Sequence, residues 1–207
     1  AAQIPRRPRK GAVQVVVDST GLKSFGEGER KGRRYGVGKR RTWRKIHLAV
    51  DEAEKDIIGI ELTTADWGDS EVFPELLAQV DGEVTQVSAD GAYDTERCHR
   101  SIAERGAQAA IPPRDGAVRW GDNHPRDATL AAIADRGRDG WKEDSGYHRR
   151  SLAENMMFRL KQLGDRLFSR TFERQVTEAH VRVVILNGFT YLGMPRSVRA
   201  GQIAPAA

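Results

Sequence analysis

Residues 11–18, GAVQVVVD, restrict the fold more than any other part of the chain. Val13, Val15, Val16 and Val17 leave almost no polar face. Branching at Cβ crowds a helix and suits a pleated strand. A strand that is apolar on both sides must be covered on both sides, so it belongs at the centre of a layered sheet. Asp18 closes the run, followed by Ser19, Thr20 and Gly21. An acid at the tip of a central strand is held rigidly at a sheet edge, where sites commonly form. Taken alone, Asp18 is more simply a turn residue capping its own backbone.

The rest of the pattern fits an α/β layering. Residues 42–50 and 56–63 alternate (Ile46, Leu48, Val50; Ile58, Ile60, Leu62) around the turn DEAEK, which predicts two antiparallel strands. His47 faces away from Ile46 and reads as a packed or hydrogen-bonded histidine rather than a ligand. Phe73, Leu76, Leu77 and Val80 predict a helix over 69–80 with Asp69 as its N-cap. Residues 84–90, VTQVSAD, form a fourth strand, again closed by an acid, Asp90. Asp94 then caps a helix over 95–105 that buries Cys98 and Ile102, and 107–111 is a short fifth strand stopped by Pro112 and Pro113. Residues 114–144 read as a flexible insertion with a short helix at 128–135, anchored by Trp120 and Trp141. A last helix, 172–192, carries the apolar stripe Phe172, Val176, Ala179, Val183 and Leu186.

Charge is distributed unevenly. The net charge is +5, but residues 1–50 hold 14 Lys/Arg against 3 Asp/Glu, a net +11, leaving 5 − 11 = −6 for the remainder. Residues 1–10 form a Pro-rich basic arm, read as a linker. Residues 23–45 form a glycine-rich loop in which Arg30, Lys31, Arg33, Arg34, Lys39, Arg40, Arg41, Arg44 and Lys45 are nearly all of one sign. Such cations repel one another unless an anion joins them, so phosphate tracking is the natural reading. A single cysteine, Cys98, excludes an internal disulfide and a Cys-rich zinc site. No apolar run is long enough for a membrane span, and the first residues lack the apolar core of a signal peptide.

Residues 147–161, YHRRSLAENMMFRLK, contain no Gly or Pro and predict a helix. At about 100° per residue, Tyr147, Arg150, Glu154 and Lys161 share an arc of about 60°. Leu152, Met156, Leu160 and Leu163 take the opposite face. One face is core, and the other carries a carboxylate between cations and a phenol. Two strand-end acids, Asp18 and Asp90, and one helix acid, Glu154, can converge on one point. Hard oxygen ligands suit Mg²⁺ or Mn²⁺. Two such ions about 3.5–4 Å apart can assist an in-line displacement at phosphorus.

The spacing Y-x2-R-x3-E-x6-K over Tyr147, Arg150, Glu154 and Lys161 resembles the motif around the catalytic glutamate of the IS4/IS5-type insertion-sequence transposases, in the DDE superfamily. VVVDST around Asp18 and SADGAYDT around Asp90 are similar to the first and second acidic motifs of the same families. The short interval from Asp90 to Glu154 favours the IS5-like branch over relatives with a long β insertion. The resemblance spans residues 13–192.

It implies an RNase H-like α/β fold over residues 11–193, a five-stranded mixed sheet of order 3-2-1-4-5 flanked by helices, with residues 194–207 as a tail. The strand pattern agrees, since the first three strands are joined by short connections and the fourth and fifth follow helical crossovers. It also implies a DDE transposase, with Asp18, Asp90 and Glu154 as catalytic metal ligands and Mg²⁺ or Mn²⁺ as the ions. Tyr147, Arg150 and Lys161 then contact DNA phosphates near the scissile bond. The implied partners are double-stranded DNA, both terminal inverted repeats and target, and a second copy of the chain. The implied location is the bacterial cytoplasm, at the nucleoid. Such transposases usually carry an N-terminal recognition region, whereas this chain starts almost at its first strand, as expected of a truncated or split form. Two other classes fit the same residues: a hydrolytic nuclease on this scaffold, and a non-catalytic DNA-binding remnant.

Overall fold

In a computed structural model, which describes residues 11–24, 43–121 and 124–193, the valine run lies in the middle strand of the sheet. β1 (Val13–Ser24) pairs antiparallel with β2 (Trp43–Asp51) on one side and parallel with β4 (Val84–Ser88) on the other. β3 (Ile57–Thr64) extends the antiparallel side, and β5 (Gln108–Ala110) the parallel side. The order is β3-β2-β1-β4-β5, the RNase H-like order expected from the sequence. A two-residue strand not foreseen, β6 (Arg166–Leu167), adds to β1 at Lys23 and Ser24.

Side-chain alternation along β1 divides the core in two. Val13, Val15 and Val17 pack with Phe73 and Leu76 of α1 (Asp69–Ala78) and with Cys98 and Ile102 of α2 (Glu96–Glu104). Val16 and Leu22 face the other way, onto Met156 and Leu160 of α4 (Ser151–Gln162) and Val183 and Leu186 of α5 (Phe172–Leu192). Each such aliphatic side chain contributes about 1.5–3 kcal/mol on full burial, so both helix layers are locked to the sheet. Gly59 shows how closely α1 sits: a Cβ there would lie 3.1 Å from both the Ala49 Cβ and the Leu76 carbonyl oxygen. Pro74 inside α1 has no N–H for the Ser70 carbonyl, and the Cys98 thiol donates to that oxygen instead, at 3.7 Å.

Several expectations about element ends are corrected. β1 does not stop at Asp18. Its pairing with β4 ends at Val16–Ser88, but its pairing with β2 continues to Lys23–Trp43, so one neighbour keeps the strand extended. Asp69 is not a cap. The cap is Gly68, whose N–H donates to Glu71 Oε2 at 2.8 Å, while Asp69 is drawn to Lys45 and His47. Thr95, not Asp94, caps α2, through the Cys98 N–H.

Residues 114–144 are not the loose insertion expected. α3 spans Pro125–Asp144, kinked at Gly137, whose φ of 75° lies in the left-handed region. Arg126 ties it to the body with a two-pronged bond to Asp94, at 2.7 and 2.8 Å. Trp120 packs under that guanidinium, 4.2 Å from ring centroid to Cζ, so it anchors as expected. The helix expected at 147–161 is split. Gly146, at φ 67°, accepts from the Arg149 N–H, and Tyr147–Arg150 form a 3₁₀ turn before α4 begins. Among the described residues no helix is long and apolar enough to cross a membrane.

Candidate active site

The register of β1 and β4 sets the first two acids. The last parallel pair is Val16–Ser88, and Asp18 and Asp90 each lie two residues further on. With a two-residue period, each points to the same side as the member of that pair it follows. Backbone N–H groups fix one oxygen of each: Ser19 donates to Asp18 Oδ1 and Ala92 to Asp90 Oδ1, both at 2.8 Å.

The third acid comes from α4. Ala153, Met156, Met157 and Leu160 are buried on the sheet and set the helix rotation. Glu154, in the first turn, is then placed where the helix dipole favours a negative charge. Arg150 joins the elements: Nη1 donates to Asp18 Oδ2 at 3.3 Å and Nη2 to Glu154 Oε1 at 2.5 Å. Lys161 reaches the same strand at Thr20, donating to Oγ1 at 2.7 Å. Tyr147 sits between Trp141, with ring centroids 5.4 Å apart, and the Arg150 guanidinium, 5.9 Å from its ring. Trp141 is buried, and so fixes the phenol from behind.

The electrostatics follow from this crowding. Burial pushes the Asp18 carboxyl above its ordinary range. The Ser19 N–H and Arg150 pull it down, and the charges of Asp90 and Glu154 push it up again. Burial also raises the Tyr147 phenol, opposed by Arg150 and reinforced by Asp90 and Asp18. Among the described residues, no three His, Cys, Asp or Glu side chains form a ready metal cage. Arg150 bonds to two of the three acids and is itself the cation that they share. The donor set nonetheless fits a hard dication: two carboxylates share one guanidinium and the third has no cation bonded to it among the described residues, which leaves net negative charge.

The other sequence candidates are placed as follows. Arg33, Arg34, Lys39, Arg40 and Arg41 lie outside the described residues. Arg44 and Lys45 are not loop residues but belong to β2, whose pairing with β1 reaches Trp43. Both are engaged: Arg44 Nε donates to Gln175 Oε1 at 2.8 Å, and Lys45 Nζ to the Trp67 carbonyl, with Asp69 3.2 Å away. His47 is a buried core histidine, with Nε2 3.0 Å from Thr63 Oγ1 and Nδ1 buried without a hydrogen bond among the described residues, 3.5 Å from Asp69. Sequence reasoning missed Thr20 and the Asp94–Arg126 clamp, and it named Trp141 as an anchor without its contact to Tyr147. No local pattern marks Thr20 or the clamp, because each is defined by a partner far along the chain.

Comparison with solved structures gives distant likenesses. A chain of the simian T-cell lymphotropic virus intasome, determined with the PP2A regulatory subunit B56 gamma, is 13% identical with a TM-score of 0.35; the match covers 72% of this chain and 49% of that one. The chain here therefore spans about half the length of that relative. The catalytic core domain of BIV integrase is also 13% identical, with a TM-score of 0.32, over 83% of this chain and 99% of that one. Residues 9–187 match the transposase DDE domain, and the chain belongs to that family.

Proposed function

We propose that this domain cleaves and joins DNA strands at the ends of an insertion sequence, with Asp18, Asp90 and Glu154 as its catalytic carboxylates. The observation that supports the reading is the bridge Arg150 makes between Asp18 and Glu154, with Asp90, like Asp18, two residues beyond the last β1–β4 pair. Membership of the transposase DDE family supports the class of reaction. Asp18, Asp90 and Glu154 hold divalent ions, Mg²⁺ or Mn²⁺, two in this reading. When bound, such ions make a nucleophile available at neutral pH and stabilise the leaving oxygen.

The chain's own residues do the rest. Arg150 presents a planar fork suited to a phosphate and releases its acids when one arrives. Lys161 adds a mobile positive charge beside β1, and Tyr147 a fixed phenol. The cations of residues 25–42 track the flanking backbone. The DNA partners are the terminal inverted repeats and the target, and two copies of the domain act together.

A strand-transfer assay tests this. The substrate is a duplex bearing a pre-cleaved 3′-hydroxyl end from the inverted repeats flanking the gene, in Mg²⁺ or Mn²⁺. Joined product is expected, and its loss in Asp18→Asn and Glu154→Gln. Cleavage without joining would assign a hydrolytic nuclease. DNA retention without either would assign a non-catalytic remnant and overturn the proposal.

A further inference from the structure

Asp18 and Ser19 face opposite sides of the sheet, as neighbours in a strand do. Asp18 faces Arg150 and the α4 layer. Ser19 falls on the α1 side, with Val15 and Val17. His47, directly across in β2, shares that side. So does Tyr93, whose ring packs on Phe73 of α1 with centroids 5.6 Å apart. Tyr93 ends the 3₁₀ turn Gly91–Tyr93, and its N–H donates to the Asp90 carbonyl at 3.1 Å. The residue next to one strand-end acid and the turn that follows the other therefore come together behind the two carboxylates.

Buried polar atoms gather at that point without bonds. Tyr93 is 1% exposed and His47 0%. Among the described residues, the Tyr93 hydroxyl, His47 Nδ1 and Asp69 Oδ1 are all buried without a hydrogen bond. His47 Nδ1 lies 3.5 Å from Asp69 Oδ1, and the charges of Asp69, Asp18 and Asp90 all act on the Tyr93 phenol. Burial and those charges hold the phenol protonated, so it has an O–H to donate. The Ser19 side chain is the polar group beside it that can accept. Phenylalanine would fill the same apolar surroundings without burying an unpaired hydroxyl, so packing alone does not account for a tyrosine here.

We infer that Tyr93 and Ser19 are positioning residues for the two strand-end acids: the phenol O–H closes onto Ser19 Oγ as Asp18 and Asp90 draw together on divalent ions, and holds them there. The inference rests on the reading that these acids are ion ligands. The connection is short on both sides. The Ser19 N–H holds Asp18 Oδ1, and the Gly91–Tyr93 turn holds Asp90 Oδ1 through the Ala92 N–H, both at 2.8 Å. A bond between the Tyr93 and Ser19 side chains on one side of the sheet therefore fixes the separation of the carboxylates on the other. That bond is not made as the residues stand, so its formation favours only the arrangement in which the acids have drawn together. Groups one step removed from an ion orient its ligands in this way.

Calorimetric Mn²⁺ titration and thermal melting of the protein test this, with no DNA present. Tyr93→Phe should weaken Mn²⁺ binding about 10-fold, yet melt without Mn²⁺ at or above the wild-type temperature. Ser19→Ala keeps the backbone N–H and should weaken Mn²⁺ binding to the same degree. The double variant should lose no more than either single one, because the same bond is removed in all three. A lower melting temperature with unchanged Mn²⁺ affinity would assign the hydroxyl to the fold alone and overturn the inference. Losses that add in the double variant would overturn it too. Should Tyr93→Phe not fold, Ser19→Ala decides alone, by the same loss of affinity. Wild-type protein that binds no Mn²⁺ would defeat the ion-ligand reading and this inference together. Wild-type binding matched by both single variants would defeat the inference and leave that reading standing.

Discussion

Arg150 grips Asp18 and Glu154 at the same time, Nη1 to Asp18 Oδ2 at 3.3 Å and Nη2 to Glu154 Oε1 at 2.5 Å. The Glu154 side chain is 55% exposed, so that arm is an ordinary i,i+4 surface pair, worth a few tenths of a kcal/mol. A phosphate or a dication can therefore displace it readily. Arg150→Gln should act in opposite directions on two readouts. Mn²⁺ affinity should rise several-fold, because a competing cation is removed. Strand transfer should fall about 100-fold, as expected for losing one preorganised donor to transition-state charge. Calorimetric Mn²⁺ titration beside the joining assay checks both, and a loss of Mn²⁺ affinity would sink the competition argument.

His47 lies directly across from Ser19 in the β1–β2 register, beside the strand that carries Asp18. Burial lowers its pKa to about 4, with Lys45 assisting and Asp69, 3.5 Å from Nδ1, opposing. An unfolded histidine titrates near 6.5. The unfolded chain thus takes up a proton that the folded chain refuses between those values. Stability from this group is complete above pH about 6.5 and declines as pH falls toward 4, by about 3 kcal/mol in all. Urea midpoints measured from pH 7 to pH 4 should fall more steeply for wild type than for His47→Gln. Parallel curves would show that His47 does not carry the slope.

Asp94 shows a buried ion pair holding an insertion. Burial alone would raise its pKa, but hydrogen bonds from Arg126 and His99 outweigh that and hold the carboxyl far below its usual range. Its contribution is present above pH about 4 and is lost only as pH falls below that. Removing one partner leaves a charge buried and uncompensated. Arg126→Met should therefore cost about 3–5 kcal/mol at pH 7, and Arg126→Met with Asp94→Leu should recover much of it. Thermal melts of the single and double variants measure this. A double variant no better than the single would contradict the account.

These two networks also show what the sequence could not convey. The valine run marked a central strand, because burial on both faces is written into consecutive residues, while the full sheet order was implied by the family resemblance. Helical spacing put Arg150, Glu154 and Lys161 on one side, and the first two are hydrogen-bonded there. Caps and strand ends failed where a distant residue claims the side chain. Asp69 looks like an N-cap until His47, from another strand, is brought beside it. Asp94 looks like one until Arg126, 32 residues further on, pairs with it. The same clamp holds α3, of which the sequence revealed only residues 128–135, since Gly137 and Gly140 mask the rest.

Lys161 gives the most direct test of DNA contact. Its Nζ donates to Thr20 Oγ1 at 2.7 Å, a neutral partner that leaves the full positive charge available. In the proposed complex that charge meets one phosphate. Each phosphate neutralised releases condensed counterions, so log K falls with log salt by about 0.9 per contact. Lys161→Gln should reduce that slope by about 1 and weaken binding similarly on any DNA sequence. The fold should tolerate it, because the lost hydrogen bond is worth about 1 kcal/mol. Anisotropy titrations at several salt concentrations measure the slope. An unchanged slope would mean that Lys161 positions β1 through Thr20 and meets no phosphate.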